Sequence, residues 1–139
     1  MLMTARRLAV TAAAAAVLAW GAKAVAIGLA GGLDKSPAEG PLFFLGLLCF
    51  TVAGCAFGAA LTTGRSVPVR VLGIVAVAVV VMVLSQVIGA VIAMFAPPED
   101  QAHWVWAEVE LWFGALILLG ATTAFSRRST MSSEPALGR

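Results

Sequence analysis

The stretch VRVLGIVAVAVVVMVLSQVIGAVIAMFA, residues 69–96, decides the fold of this chain. After Arg70 it contains no charged residue, and its only polar side chains are Ser85 and Gln86. About 20 consecutive apolar residues are enough for a helix to cross the hydrocarbon core of a bilayer. The many valines disfavour a helix modestly in water, but lipid offers the backbone no hydrogen-bond partner outside the helix. We therefore predict a transmembrane helix over residues 69–96.

Three further apolar runs lie at about residues 8–31, 42–63 and 104–125. With 139 residues, 61% hydrophobic content, 12% charge and a mean hydropathy of +1.00, the chain has too few polar groups to cover a water-soluble domain. We predict an all-α integral membrane protein, a four-transmembrane-helix antiparallel bundle that occupies residues 1–126. Residues 127–139 are polar and aperiodic, and they are predicted to form a disordered cytoplasmic tail.

The charges alternate between the connections, and this pattern predicts the orientation. Lys and Arg in short loops are retained on the cytoplasmic side of a membrane. Both termini are therefore expected in the cytoplasm, in a cell membrane of the bacterial inner-membrane type. The net charge of +2 gives no reason to expect a nucleic-acid partner. Seven of the nine basic residues lie at the termini and the middle connection (Arg6, Arg7, Arg65, Arg70, Arg127, Arg128, Arg139), and acids lie in the other two connections (Asp34, Glu39, Glu99, Asp100).

The first apolar run also has features of a signal peptide. Arg6 and Arg7 precede it, and Ala22-Lys23-Ala24 is a small-x-small cleavage pattern. The apolar character continues beyond this site through Leu29, which a signal peptide does not need. We expect the run to be retained as a span, with cleavage after Ala24 as the alternative.

Three polar residues at membrane depth are predicted to form a cluster. Ionisable groups inside a bilayer are costly and require a partner or a functional reason. At about 1.5 Å per residue, Lys23, Gln86 and Glu110 lie about 12, 15 and 10 Å from the outer ends of their spans. We therefore expect these side chains to meet near one level of the outer leaflet.

Glu108 and Glu110 point to nearly opposite sides of a helix, being about 200 degrees apart. Ala107 and Gly114 accompany Glu110 and leave room for another helix, whereas bulky side chains surround Glu108. We expect Glu110 in the bundle interior and Glu108 in the headgroup zone. The predicted interfacial residues are His103, Trp104, Trp106, Glu108 and Trp112, since tryptophan favours the headgroup boundary.

The cluster has three interpretations. Lys23 and Glu110 can form a structural salt bridge with a further hydrogen bond from Gln86, which is our expectation. The same groups can instead line a water-accessible pocket for an ion, a small solute or a proton. In the third interpretation Lys23 extends to the outer headgroups and no pair exists.

The chain offers little that would bind a metal or cofactor. Cys49 and Cys55 are six residues apart on one helix and are rotated by about 240 degrees, so they cannot bridge. His103 is the only histidine, so a haem or metal site would need a second copy of the chain. No catalytic motif is present, and we predict no cofactor.

These observations favour a non-enzymatic membrane protein that acts as an accessory, assembly or self-associating component. Its expected partners are the lipid bilayer and other membrane subunits or copies of itself. Gly54 and Gly58, four residues apart, are typical of a closely packed helix face in lipid. A small oligomeric ion- or proton-coupled transporter that uses Lys23, Gln86 and Glu110 is the alternative. A redox or lipid-processing subunit is a weaker third possibility.

Overall fold

The computed structural model describes the backbone of residues 2–95 and 103–131, and within them the side chains of residues 4–95, 105–106 and 108–128. These residues form four helices: α1 (Leu2–Ala30), α2 (Glu39–Leu61), α3 (Val67–Phe95) and α4 (His103–Met131). Each helix is long and apolar enough to cross a membrane. The prediction of an all-helical chain with four such segments is thereby confirmed for the described residues.

The helices extend beyond the predicted spans at several ends. Pro41 and Pro68 lie within the first turns of α2 and α3, where a backbone N–H has no partner in the helix. At the other end of the chain, α4 continues to Met131 because no proline or glycine follows Gly120 within it. Residues 127–131 of the predicted disordered tail are therefore helical, and residues 132–139 lie outside the described part.

The four helices pack in a ring. α1 and α3 each contact α2 and α4, and α1 and α3 do not contact each other within the described ranges. α1 and α4 are antiparallel, since Lys23 late in α1 meets Glu108 early in α4. The opposite ends also meet, with the Arg6 guanidinium 5.0 Å from the centre of the Phe125 ring. We call the end with the last turns of α1 and α3 the Lys23 end.

Small residues build the core where α1, α2 and α4 meet. α1 and α2 form the most extensive interface, which allows their backbones to approach closely. Gly58 brings α2 against α3, because a Cβ on this residue would lie 2.8 Å from Ile74 Cα. The buried alanines are Ala9, Ala12, Ala13, Ala16 and Ala19 of α1, Ala53, Ala56 and Ala60 of α2, and Ala115 of α4.

α3 is the most peripheral helix of the ring. None of its residues is buried. Its large apolar side chains face outward along its whole length, from Leu72 (69% exposed) to Met94 (83% exposed). An apolar surface of this extent is typical of a helix that lipid or another protein surrounds.

Candidate functional site

A buried ion pair joins the first and last helices near the Lys23 end. Lys23 Nζ donates a hydrogen bond to Glu108 Oε1. Lys23 is 6% exposed and Glu108 is 5% exposed, so the pair is almost fully enclosed. Bringing two charges together in this setting offsets the large cost of removing each one from water.

Periodic faces of both helices position the pair. On α1, Lys23 continues the buried stripe of Ala16, Ala19 and Trp20, which lie three, four or seven residues before it. On α4, Glu108 shares a face with Ala115 and Leu118 at intervals of seven and three residues. Both charges are therefore fixed by the packing of the small residues beside them.

The surroundings of the pair are asymmetric. The Lys23 ammonium lies 5.5 Å from the centre of the Phe43 ring, within range of a cation–π interaction. Glu108 Oε2 is buried and accepts no hydrogen bond from any described group. A shallow pocket of about 280 Å³, with Asp34 and Glu39 in its lining, lies between Lys23 and the connection from α1 to α2.

This geometry corrects the predicted partner of Lys23. The expected Lys23–Glu110 pair was wrong, since Lys23 pairs with Glu108, which is buried against α1. The position of Glu108 relative to the headgroup zone stays a prediction. Glu110 packs against α3 rather than α1, since a Cβ on Gly89 of α3 would collide with its carboxylate, and Gly114 on the same face lies beside Ser85 of α3. The face of α4 that packs against α1 instead includes Glu108 and Ala115. Their spacing of seven residues could have indicated Glu108 as the partner of Lys23.

Trp20 is a core residue that sequence reasoning missed. Its side chain is 2% exposed, and its indole Nε1–H donates a hydrogen bond to the backbone carbonyl of Phe43 over 3.3 Å. The ring fills the space beside Gly46, where a Cβ would overlap it. In the sequence, only Gly46 of α2 indicates that a bulky side chain of another helix can pack here.

A groove of about 370 Å³ contains the remaining members of the predicted cluster. Gln86 of α3 and Glu110 of α4 both line it, whereas Lys23 does not. Two of the three predicted residues are therefore brought together. The other lining residues are mostly apolar: Trp20, Phe43, Leu47, Phe50, Thr51, Gly54, Ala78, Val81, Met82, Ser85 and Leu111.

A second groove, also about 370 Å³, adjoins the first and shares Phe50, Val81 and Ser85 with it. Its lining is apolar apart from Ser85, and it runs between α2, α3 and α4 toward Leu61 and Ala121, away from the Lys23 end. The two grooves together form a cleft with polar groups at one end.

The predicted interfacial tryptophans occupy different environments. Trp112 is 41% exposed, and its ring lies against Gly21 of α1, where a Cβ would be 3.2 Å from Trp112 Cζ2. Trp106 is half-buried. The side chains of His103 and Trp104 lie outside the described residues, as do Glu99 and Asp100. The interfacial role of the tryptophans stays a prediction.

The cysteines are unpaired, as their spacing predicts. Cys49 and Cys55 are both free and half-buried. Among the residues that the structure describes, no three His, Cys, Asp or Glu side chains lie close enough together to hold a metal ion.

No protein-family model, curated protein or solved structure matches this chain significantly. The fold and the site define its class as an all-helical protein with four helices that are long and apolar enough to cross a membrane. Its described residues include a buried Lys–Glu pair and a cleft with polar groups at one end.

Proposed function

We propose that this chain is an integral protein of the cell membrane, with both termini and the connection between α2 and α3 in the cytoplasm. Four apolar helices and the outward-facing apolar side chains of α3 support membrane insertion. The arginines Arg65 and Arg70 beside the connection at Gly64 support the orientation.

Within the membrane, we propose a non-enzymatic role as an accessory or assembly component. One observation carries this proposal: the buried cation of the chain is neutralised by Glu108 inside a packed interface. These charges hold α1 and α4 together and are enclosed rather than presented to a substrate. The exposed apolar face of α3, which the described helices leave uncovered, is consistent with a lateral neighbour.

Light-activated crosslinking in native membranes tests this role. The crosslinking amino acid is placed at Val79 of α3 (54% exposed) or, in a separate variant, at Leu18 of α1 (73% exposed). We expect a protein adduct of defined mass from at least one position, and a mild-detergent extract larger than a monomer. Lipid adducts alone at both positions, together with a monomeric extract, would overturn the proposal.

The alternative function, a small transporter, depends on fewer residues than the sequence predicted. Because Lys23 is paired with Glu108, only Gln86 and Glu110 remain as candidates for a polar pathway, and both line the same groove. Ion or proton flux into vesicles that contain the purified protein tests it. Transport that Glu110→Gln abolishes and the double variant Lys23→Met/Glu108→Met leaves intact would replace the accessory role.

A further inference from the structure

We propose that the cleft between α2, α3 and α4 binds an organic cation with an apolar body, with Glu110 as its counter-charge. Among the residues that the structure describes, Glu110 is the only ionisable group in the lining of either groove. Within the described part of the chain, its carboxylate has neither an ion-pair partner nor a hydrogen-bond donor. A carboxylate in an apolar setting interacts strongly with a cation that reaches it, because the surrounding dielectric constant is low.

Two glycines show that the chain makes room for a ligand here. Gly89 accommodates the Glu110 carboxylate, which a Cβ at this position would displace. Gly54 is one turn from the tightly packed Gly58, yet a Cβ on Gly54 would have no neighbour within 4 Å. α2 and α3 therefore separate from Gly58 toward the Lys23 end, and the space between them is the groove.

The walls suit an apolar cation better than a metal ion or a polar solute. The half-buried rings of Phe43 and Phe50 line the groove that contains Glu110, and Trp20, which is 2% exposed, packs against Phe50 with ring centroids 5.4 Å apart. Aromatic faces attract organic cations, and a volume of about 370 Å³ lies in the range of small-molecule sites. Thr51, Ser85 and Gln86 add hydrogen-bonding groups to a mostly apolar wall, and the second groove can receive a hydrocarbon extension.

The groove opens at the side of the bundle. Thr51 of α2 and Met82 and Gln86 of α3 line it and are exposed on the outer surface of the ring. A ligand dissolved in the surrounding apolar phase therefore reaches Glu110 between α2 and α3. The site does not depend on the accessory role proposed above, since a chain without enzymatic activity can hold such a ligand.

Binding of tetraphenylphosphonium to the purified full chain in lipid nanodiscs tests the proposal, with empty nanodiscs as the background. Tetraphenylborate, which has the same shape and the opposite charge, is the matched ligand. We expect saturable binding of the cation only, weakened roughly ten-fold or more by Glu110→Gln. Glu39→Gln, which removes an acid outside the cleft, is expected to leave the affinity unchanged.

A second variant tests whether binding needs the open volume of the groove as well as the Glu110 charge. Gly54→Leu fills the groove and leaves Glu110 in place, so it is expected to weaken binding by a similar factor. Unchanged tryptophan fluorescence and thermal unfolding confirm that each variant is folded. The proposal would be overturned by non-saturable uptake or by full affinity in folded Glu110→Gln. Equal binding of tetraphenylborate would also overturn it and would indicate a site for neutral lipid tails.

Discussion

Replacing Lys23 by methionine is expected to destabilise the bundle strongly, although the two side chains are similar in length. Glu108 Oε2 already has no hydrogen-bond partner among the described residues, and Oε1 would lose the Lys23 ammonium. The whole carboxylate would then be buried without compensation. Removing one member of a buried ion pair costs about 3–5 kcal/mol, and we expect a loss near the lower limit because the pair lies close to one end of the helices.

The double variant Lys23→Met/Glu108→Met identifies the source of this loss. Two apolar side chains of suitable length can replace a buried ion pair at little cost, so we expect stability within about 1 kcal/mol of the original chain. The coupling energy between the two positions would then be about 2 kcal/mol or more. Glu110→Gln is the matched control, because this carboxylate lies on the same helix outside the pair.

Equilibrium unfolding of the purified chain in detergent micelles, followed by tryptophan fluorescence, measures these differences. A loss below about 1 kcal/mol for Lys23→Met would refute the reasoning, since an uncompensated buried carboxylate cannot be that cheap. A double variant as unstable as the single one would show that packing, and not charge, is what the substitution disturbs.

Three further predictions address the rest of the structure. Intact mass spectrometry of the membrane-extracted protein should show residues before Ala24 retained, because α1 supplies much of the core; a mass that begins after Ala24 would contradict this. Gly58→Ala should lower the unfolding free energy by about 1–3 kcal/mol, because the added Cβ would collide with the α3 backbone. Gly54→Ala should raise it by up to about 1 kcal/mol, because alanine favours a helix and has free space at this position. Equal effects of the two substitutions would contradict the packing described. In a chain without its native cysteines, a membrane-impermeant maleimide should label Ser36→Cys and not Ser66→Cys from outside intact cells, and the reverse pattern would invert the proposed orientation.

The positions of the helices could be predicted from the sequence because the hydropathy of a segment depends only on its own residues. Each span needs only enough consecutive apolar residues, and charged or proline-containing connections separate the four runs. The helix ends could not be fixed in this way. Arg6 and Arg128 belong to helices α1 and α4 but lie outside the apolar runs, so hydropathy does not show that the helices include them.

The partner of Lys23 could not be derived because it depends on how each helix is rotated against its neighbours. The sequence places Glu108 and Glu110 on opposite sides of α4, with Gly114 four residues after Glu110 and Ala115 seven residues after Glu108. α4 has two packed faces, one against α1 and one against α3, so the presence of Gly114 beside Glu110 indicates contact without indicating with which helix. Three-dimensional contacts alone distinguish the two faces.

The Lys23–Glu108 contact also bears on the order in which the chain assembles. The two residues are 85 positions apart, so the cation is synthesised and inserted well before its counter-charge exists. In the proposed membrane orientation, a nascent or truncated chain without α4 exposes an uncompensated ammonium group at the flank of the hairpin formed by α1 and α2. Completion of α4 neutralises that charge, so a finished chain and a fragment without α4 differ by one unpaired ammonium group on the surface of the hairpin.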